Sequence, residues 1–333
     1  MRFGTATLLG RSNVGKSTFL NAALGEALAI VSRRAQTTRD PLLGVVHRDG
    51  AQIAFIDTPG LHRPHSELGR RMNAAALEAA RRAEVILFMT DVAHVAHPPR
   101  RDAALGAVPP AASLVHPEDA ALLALIPPLT PCLLVVNKVD VLRDKAKLLP
   151  LLDGYAKLRE FTEIVPISAR RPDDVERVLT LAAAHLPEGA AGYDEDTLTD
   201  RPTSFFAREY VREAILQQLG REVPHAAAVA IDRIDDSPKT FVVKATIHVD
   251  KPGQRTILVG KGGGQIRAVG IAARERIEAL VGKPVHLELF VRVSPRWRDV
   301  PRQLAELGYS APESPGLTQL VADAPKQRTR RRS

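Results

Sequence analysis

Apolar residues recur in two rhythms along this 333-residue chain. Residues 5–9, 43–47, 51–56, 85–90, 132–136 and 163–167 are short apolar, β-prone runs, while 17–28, 67–83, 145–161 and 174–185 repeat at the helical period. The runs 43–47 and 51–56 flank Asp49-Gly50, a hairpin signal. The runs 85–90 and 132–136 are apolar without alternation, as in strands buried on both faces of a parallel sheet. Strands alternating with helices predict an α/β domain with a mostly parallel sheet over residues 1–187.

Residues 188–203 carry Gly189, Gly192, Pro202 and an acidic run at 194–196, the composition of a linker. A smaller α+β domain is expected over 204–309, with helices at 205–219 and 264–280 and strands at 226–232, 240–249 and 285–293. Residues 93–131 are Ala/Pro-rich, and much of this segment reads as a surface insertion that adds no chemistry. Its histidines His94, His97 and His116 lack the carboxylate spacing and ordered scaffold of a metal site. Residues 310–333 end in a basic run, Arg328 to Arg332, and read as a disordered tail.

Composition adds limits. The chain is long enough for two cores, with 45% hydrophobic and 25% charged residues. The single cysteine, Cys132, sits in an apolar run and reads as a core residue in a reducing cytoplasm. No stretch of about 18 apolar residues predicts a membrane span, and no signal peptide is expected. The net charge of +8 is unevenly placed: residues 1–200 hold 23 basic and 24 acidic residues, residues 201–333 hold 23 and 14. The second domain therefore suits a polyanion, nucleic acid or acidic membrane.

Four spaced motifs define the chemistry of the first domain. Gly10-Arg11-Ser12-Asn13-Val14-Gly15-Lys16-Ser17 matches G-x-x-x-x-G-K-[ST] between a strand and a helix, with Thr18 continuing the stretch. Its backbone N–H groups can cradle phosphates, Lys16 can reach the β- and γ-phosphates, and the Ser17 hydroxyl can bind Mg²⁺. Asp57-Thr58-Pro59-Gly60 follows a strand; Asp57 suits Mg²⁺, and the Gly60 N–H suits the γ-phosphate. Asn137-Lys138-Val139-Asp140 follows another strand. The Asp140 carboxylate can accept the two N–H groups of guanine that adenine does not present, selecting GTP over ATP. Asn137 would brace this loop, the Lys138 stem would pack on the base, and the Ser168-Ala169 backbone would meet the guanine carbonyl.

Residues 31–39, with Thr37 and Thr38, resemble the first switch loop of the bacterial Era GTPases, of the TrmE-Era-EngA type. The resemblance implies that a threonine here completes the Mg²⁺ shell, with Thr37 favoured and Thr38 the alternative. Leu61 stands where many GTPases carry a water-orienting Gln, as in Era and its relatives. Those relatives bind K⁺ through an asparagine at the position of Asn13, so Lys16, Asn13, Thr37 and Gly60 are the expected catalytic set.

In the second domain, Gly260-Lys261-Gly262-Gly263 fits the G-x-x-G loop of a KH domain. Arg267 could reach a phosphate, and Ile266, Val269 and Ile271 could floor the bases. Trp297 could stack on a base or pack at the domain edge. The resemblance to Era continues through 206–224 and 284–297 and covers residues 3–309. It implies a monomeric GTPase that binds GTP and GDP with Mg²⁺, grips the 3′ end of 16S rRNA during 30S ribosomal subunit maturation, and associates peripherally with the inner membrane. Competing readings are a GTPase of RNA modification, an RNA-binding module with a decayed nucleotide domain, and a membrane-surface switch. The chain departs from the family at its shorter N-terminus, in Ser12 and Pro172 where proline and glycine are usual, and in the expanded residues 93–131.

Overall fold

A computed structural model describes residues 1–32, 34, 36–96, 114–220 and 222–309. His97 and the basic tail at 310–333 lie outside the described residues, as do Arg33 and Ala35 of the switch loop. The first domain is a six-stranded sheet in the order β2-β3-β1-β4-β5-β6. Its strands are β1 (Arg2–Leu9), β2 (Leu42–Arg48), β3 (Ala51–Asp57), β4 (Val85–Asp91), β5 (Cys132–Asn137) and β6 (Glu163–Pro166). Only β2 runs antiparallel, to β3, through the turn at Asp49-Gly50, where Gly50 has φ +74°.

The helices of this domain are α1 (Lys16–Leu24), α2 (Glu67–Arg82), α3 (Ala93–Ala96), α4 (Pro117–Leu123), α5 (Leu148–Ala156) and α6 (Pro172–Ala184). Successive residues of the buried strands feed opposite faces, as the pleat requires. Leu133 and Val135 join one core with Val178 and Leu179 of α6, while Cys132, Leu134 and Val136 join another with Leu77 of α2 and Tyr155 of α5. Burial pushes the Cys132 thiol up to about 12, so it acts as a small apolar side chain. The order of strands brings the carboxyl ends of β1, β3 and β5 to one rim, where α/β sheets bind ligands.

Two expectations change here. The helix expected over 145–161 is a 3₁₀ turn at Lys145–Lys147 followed by the shorter α5. The part of the 93–131 segment described from residue 114 onward is no surface insertion: Leu114, Val115, Leu122, Leu123 and Ile126 are core residues. The apolar spacing was present in the sequence, but the surrounding prolines and alanines masked it. Within this segment His94 Nε2 donates to the Leu114 carbonyl at 2.6 Å, and His116 Nδ1 accepts from the Glu118 N–H at 3.2 Å.

Residues 188–203 run along the first domain. The Val45 N–H donates to the Leu198 carbonyl at 2.9 Å, and Gln52 bonds both ways with 192–193. The second domain comprises α7 (Thr203–Gln218), α8 (Val223–Ala226), β7 (Ala228–Asp236), β8 (Phe241–Val249), α9 (Pro252–Val259), α10 (Gly264–Val281), β9 (Val285–Val293) and α11 (Pro301–Glu306). Its sheet is β7-β8-β9, with β8 antiparallel to β7 and parallel to β9. Every second residue of β8, from Phe241 to Val249, is buried. Among the described residues no helix is long and apolar enough to cross a membrane.

Candidate nucleotide and nucleic-acid sites

The loop between β1 and α1 is held open by its own backbone. Asn13 adopts φ +66°, a left-handed conformation uncommon for residues other than glycine. A methyl on Gly60 would lie 2.5 Å from the Ser12 Cα, so the two phosphate-facing loops meet only because Gly60 has no side chain. The Leu61 N–H donates to the Gly10 carbonyl at 3.1 Å and fixes the same contact. Leu61 itself is buried with Leu9 and Phe88, away from the cleft.

Asn13, Gly15, Lys16, Ser17, Thr18, Thr37, Thr38, Gly60 and Lys138 border a common cleft. The Lys16 ammonium donates to the carbonyls of Gly10 at 3.1 Å and Arg11 at 2.8 Å. Burial lowers it to about 8, with Asp57 pulling the other way. Asp57 is fully buried, and burial raises its pKa against the opposing effects of Lys16 and Ser17. Its Oδ2 accepts from Ser17 at 2.7 Å and from Thr38 at 3.3 Å. Its Oδ1 is buried without a hydrogen-bond partner.

Thr37 lines the same cleft, but its hydroxyl does not join the Ser17–Asp57–Thr38 hydrogen bonds. Its hydroxyl donates to the Arg34 carbonyl at 2.8 Å, while the Thr38 hydroxyl lies 3.1 Å from that of Ser17. The alternative threonine is thus the one beside Ser17 and Asp57. Adjacent hydroxyls look alike in sequence, and only tertiary register separates them.

The base loop is built on Asn137. Its Nδ2 donates to the Val14 carbonyl at 2.8 Å, and its Oδ1 accepts from the Ala169 N–H at 2.9 Å. One side chain therefore ties the phosphate loop to the Ser168-Ala169 turn. Lys138 bonds the Asn13 carbonyl and Asp91, each at 2.5 Å. Asp140 is exposed at the rim. Pro172 leaves this geometry intact. It is the first residue of α6, where a missing N–H costs nothing, and the Ser168 N–H instead donates to Asp174 at 2.8 Å.

In the second domain Gly260, Lys261, Gly262 and Gly263 join α9 to α10. Gly260, Gly262 and Gly263 all have positive φ. A methyl on Gly260 would lie 2.6 Å from the Gln265 Cβ, so that turn requires glycine. Lys261 in the loop and Arg267 near the start of α10 are exposed, and Ile266 is half-buried. The proposed floor is only partly formed: Val269 is fully buried, and Ile271 is exposed. The exposed Ile257 of α9, one turn before the loop, was not singled out by sequence reasoning.

Between the domains the switch loop is bound by the second domain. Arg39 donates to the carbonyls of Ala227 at 2.7 Å, Pro224 and His225. Arg208 pairs with Asp40 at 2.6 Å. Arg212, 1% exposed, donates to the Thr37 carbonyl and to Glu209. Burial pushes Glu209 up, but the Arg212 and Arg208 charges outweigh it and hold the carboxyl below its usual range. Trp297 is buried, stacks on Tyr309 and donates to the Ala226 carbonyl at 2.8 Å, so it packs rather than waits for a base. With Leu304 and Tyr309 it covers Leu68 and Met72 of α2.

A phosphate loop, a buried strand-end carboxylate, an Asn-Lys-x-Asp loop and a following glycine loop between helices define a P-loop GTPase that carries a KH domain. The family described as 50S ribosome-binding GTPase matches residues 5–138, and the KH domain family matches residues 222–298. The chain belongs to the Era GTPase family. It is 39% identical over 311 residues to GTPase Era of Lactobacillus helveticus, covering 93% of this chain and 97% of that protein. It is 40% identical to GTPase Era of Leuconostoc citreum, covering 92% and 96%. The crystal structure of a single-residue variant of Aquifex aeolicus Era bound to GDP and AlF4⁻ matches with a TM-score of 0.82 at 36% identity, over 93% of this chain and all of that one. Era in complex with MgGDPNP and nucleotides 1506–1542 of 16S ribosomal RNA matches with a TM-score of 0.81 at 36% identity, over 93% and 99%.

Proposed function

We propose that this chain is a guanine-nucleotide switch that hydrolyses GTP to GDP and phosphate. Its KH domain grips the single-stranded 3′ end of 16S rRNA and assists maturation of the 30S subunit. The observation that carries this reading is the shared boundary: the loop that reaches Ser17 and Asp57 through Thr38 is bonded at Thr37 and Arg39 to the RNA-binding domain. Holding or releasing the loop at the nucleotide then changes what the KH domain rests on. The solved relative holding both MgGDPNP and 16S rRNA nucleotides supports the pairing of ligands.

The residues fit Mg²⁺, because the unpartnered Asp57 Oδ1 is a buried acceptor beside two hydroxyls. Ser17, Thr38 and Asp57 would hold the ion, which supplies charge neutralisation at the phosphates. Lys16 and the loop N–H groups orient the β- and γ-phosphates, and the Gly60 N–H reads the γ-phosphate. Asp140 admits guanine. Asn13, with its carbonyl tethered by Lys138, is the proposed K⁺ ligand. The KH loop at 260–263 lets an RNA backbone approach, with Lys261 and Arg267 at phosphates and Ile266 under a base. The protein acts as a cytoplasmic monomer with peripheral contact to the inner membrane.

Hydrolysis of GTP and ATP by purified protein with Mg²⁺, in K⁺ and in Na⁺, with and without a 16S 3′-end oligonucleotide, tests this. GTP turnover in K⁺, raised by the RNA, is expected. Equal use of ATP contradicts the reading.

A further inference from the structure

Within the Ala/Pro-rich 93–131 segment, α4 carries a buried carboxylate with no role in the motifs above. Asp119 of α4 is fully buried, and its carboxylate accepts from side chains of distant parts of the chain. Its Oδ1 accepts from Arg11 Nε at 2.8 Å. Its Oδ2 accepts from Thr90 of β4 at 2.6 Å and from the Tyr155 hydroxyl of α5 at 2.7 Å. Thr90 and Tyr155 are themselves 2.9 Å apart, so the carboxylate is fixed on one side by a closed triangle.

On the other side lies the phosphate loop. Arg11 is its second residue, and the Arg11 carbonyl accepts from Lys16. Arg11 Nη2 is buried without a hydrogen-bond partner and stands 4.0 Å from Asp91. Asp91 holds Lys138, which bonds the Asn13 carbonyl. A ring of charges therefore returns to the loop two residues after it left. Within that ring Asn13 keeps a left-handed backbone, which persists only where its surroundings over-determine it.

We propose that Asp119 is a positioning residue for nucleotide binding, which through Arg11 locks the phosphate loop in its binding conformation. This inference rests on the reading of the cleft as a guanine-nucleotide site. The charge does the work: removing it leaves the half-buried Arg11 guanidinium beside neutral oxygen and frees residues 11–13 to relax. The loop is then bound less tightly to GDP and GTP, but Lys16, Ser17 and Asp57 keep their places once nucleotide is in.

Release of a fluorescent GDP analogue and GTP turnover are measured for the full chain, Asp119→Asn, Arg11→Gln, the double variant and Tyr155→Phe. Asp119→Asn is expected to release GDP about tenfold faster and to raise KM for GTP in step, with kcat within about twofold. The double variant is expected to be no worse than either single change, since both break one interaction. Tyr155→Phe removes a bond to the same carboxylate without its charge, and is expected to lower Tm while leaving release unchanged. Release from Asp119→Asn at the wild-type rate overturns the proposal, as does equal acceleration by Tyr155→Phe. Should Asp119→Asn not fold, Arg11→Gln decides alone: faster release supports the brace, an unchanged rate sinks it. Failure of the wild-type chain to bind GDP sinks the site itself, a distinct result.

Discussion

Thr37 and Thr38 are neighbours with the same side chain and opposite assignments. The hydroxyl of Thr38 joins Ser17 and Asp57, whereas Thr37 spends its hydroxyl on Arg34 and its carbonyl on Arg212. Thr38→Ala is therefore expected to lower GTP turnover at least about tenfold and to raise the Mg²⁺ needed for half-maximal rate. Thr37→Ala, which keeps the carbonyl, is expected to stay within about threefold of wild type. Mg²⁺ titrations of the two variants check this; a reversed order contradicts the assignment. Lys16 gives a pH dependence. Burial lowers it from 10.5 to about 8, and phosphate binding favours its charged form. Below about 8 the lysine is already charged and nucleotide affinity is flat. Above it, affinity falls by up to about tenfold per pH unit as the free protein loses that proton. Fluorescence titrations of GDP from pH 7 to 9.5 check the sign, and rising affinity would contradict it. Motif residues such as Lys16, Asp57 and Asn137 were readable from the chain because their spacing is local. Asp119 was not, because its partner Arg11 lies 108 residues away and an aspartate on a short helix carries no signal of its own.

At the scale of elements, the strands were the more legible. The apolar runs 85–90 and 132–136 became β4 and β5, and the glycine turn at Asp49-Gly50 joined β2 to β3. Helix faces were less so: Val269 and Ile271 sit two residues apart on α10, and only packing against the sheet decided which was buried. Residues 114–131 misled for the opposite reason, since they lie in a segment of loop-like composition while Leu122, Leu123 and Ile126 fill a core. The exposed α9–α10 loop makes a separable prediction. Lys261→Ala is expected to weaken binding of a 16S 3′-end oligonucleotide and to reduce the slope of log affinity against log salt by about 0.7, the share of one phosphate contact on a single strand. GTP turnover without RNA is expected to be unchanged. Salt-dependent binding curves check it, and an unaltered slope places Lys261 away from the RNA backbone.

Across the whole molecule, two domains share one hydrogen-bonded seam. Arg212 lies at its centre, pairing with Glu209 while its guanidinium reaches the Thr37 carbonyl, and Trp297 and Tyr309 cover α2 a short distance along. Of this seam the sequence offered only Trp297, as a residue that could pack at the domain edge; the bond from Arg212 to the Thr37 carbonyl joins residues 175 apart and left no local signal. The coupling it implies is tested most directly by the affinity of the full chain for a 16S 3′-end oligonucleotide, measured with a non-hydrolysable GTP analogue and with GDP, for wild type and Arg212→Lys. Lysine keeps the charge beside Glu209 but cannot hold both partners with a planar fork. The account predicts wild-type RNA binding about tenfold tighter in the triphosphate state, a coupling of ordinary size, and a ratio near unity for Arg212→Lys. Equal RNA affinity of the wild-type chain in the two nucleotide states would contradict it.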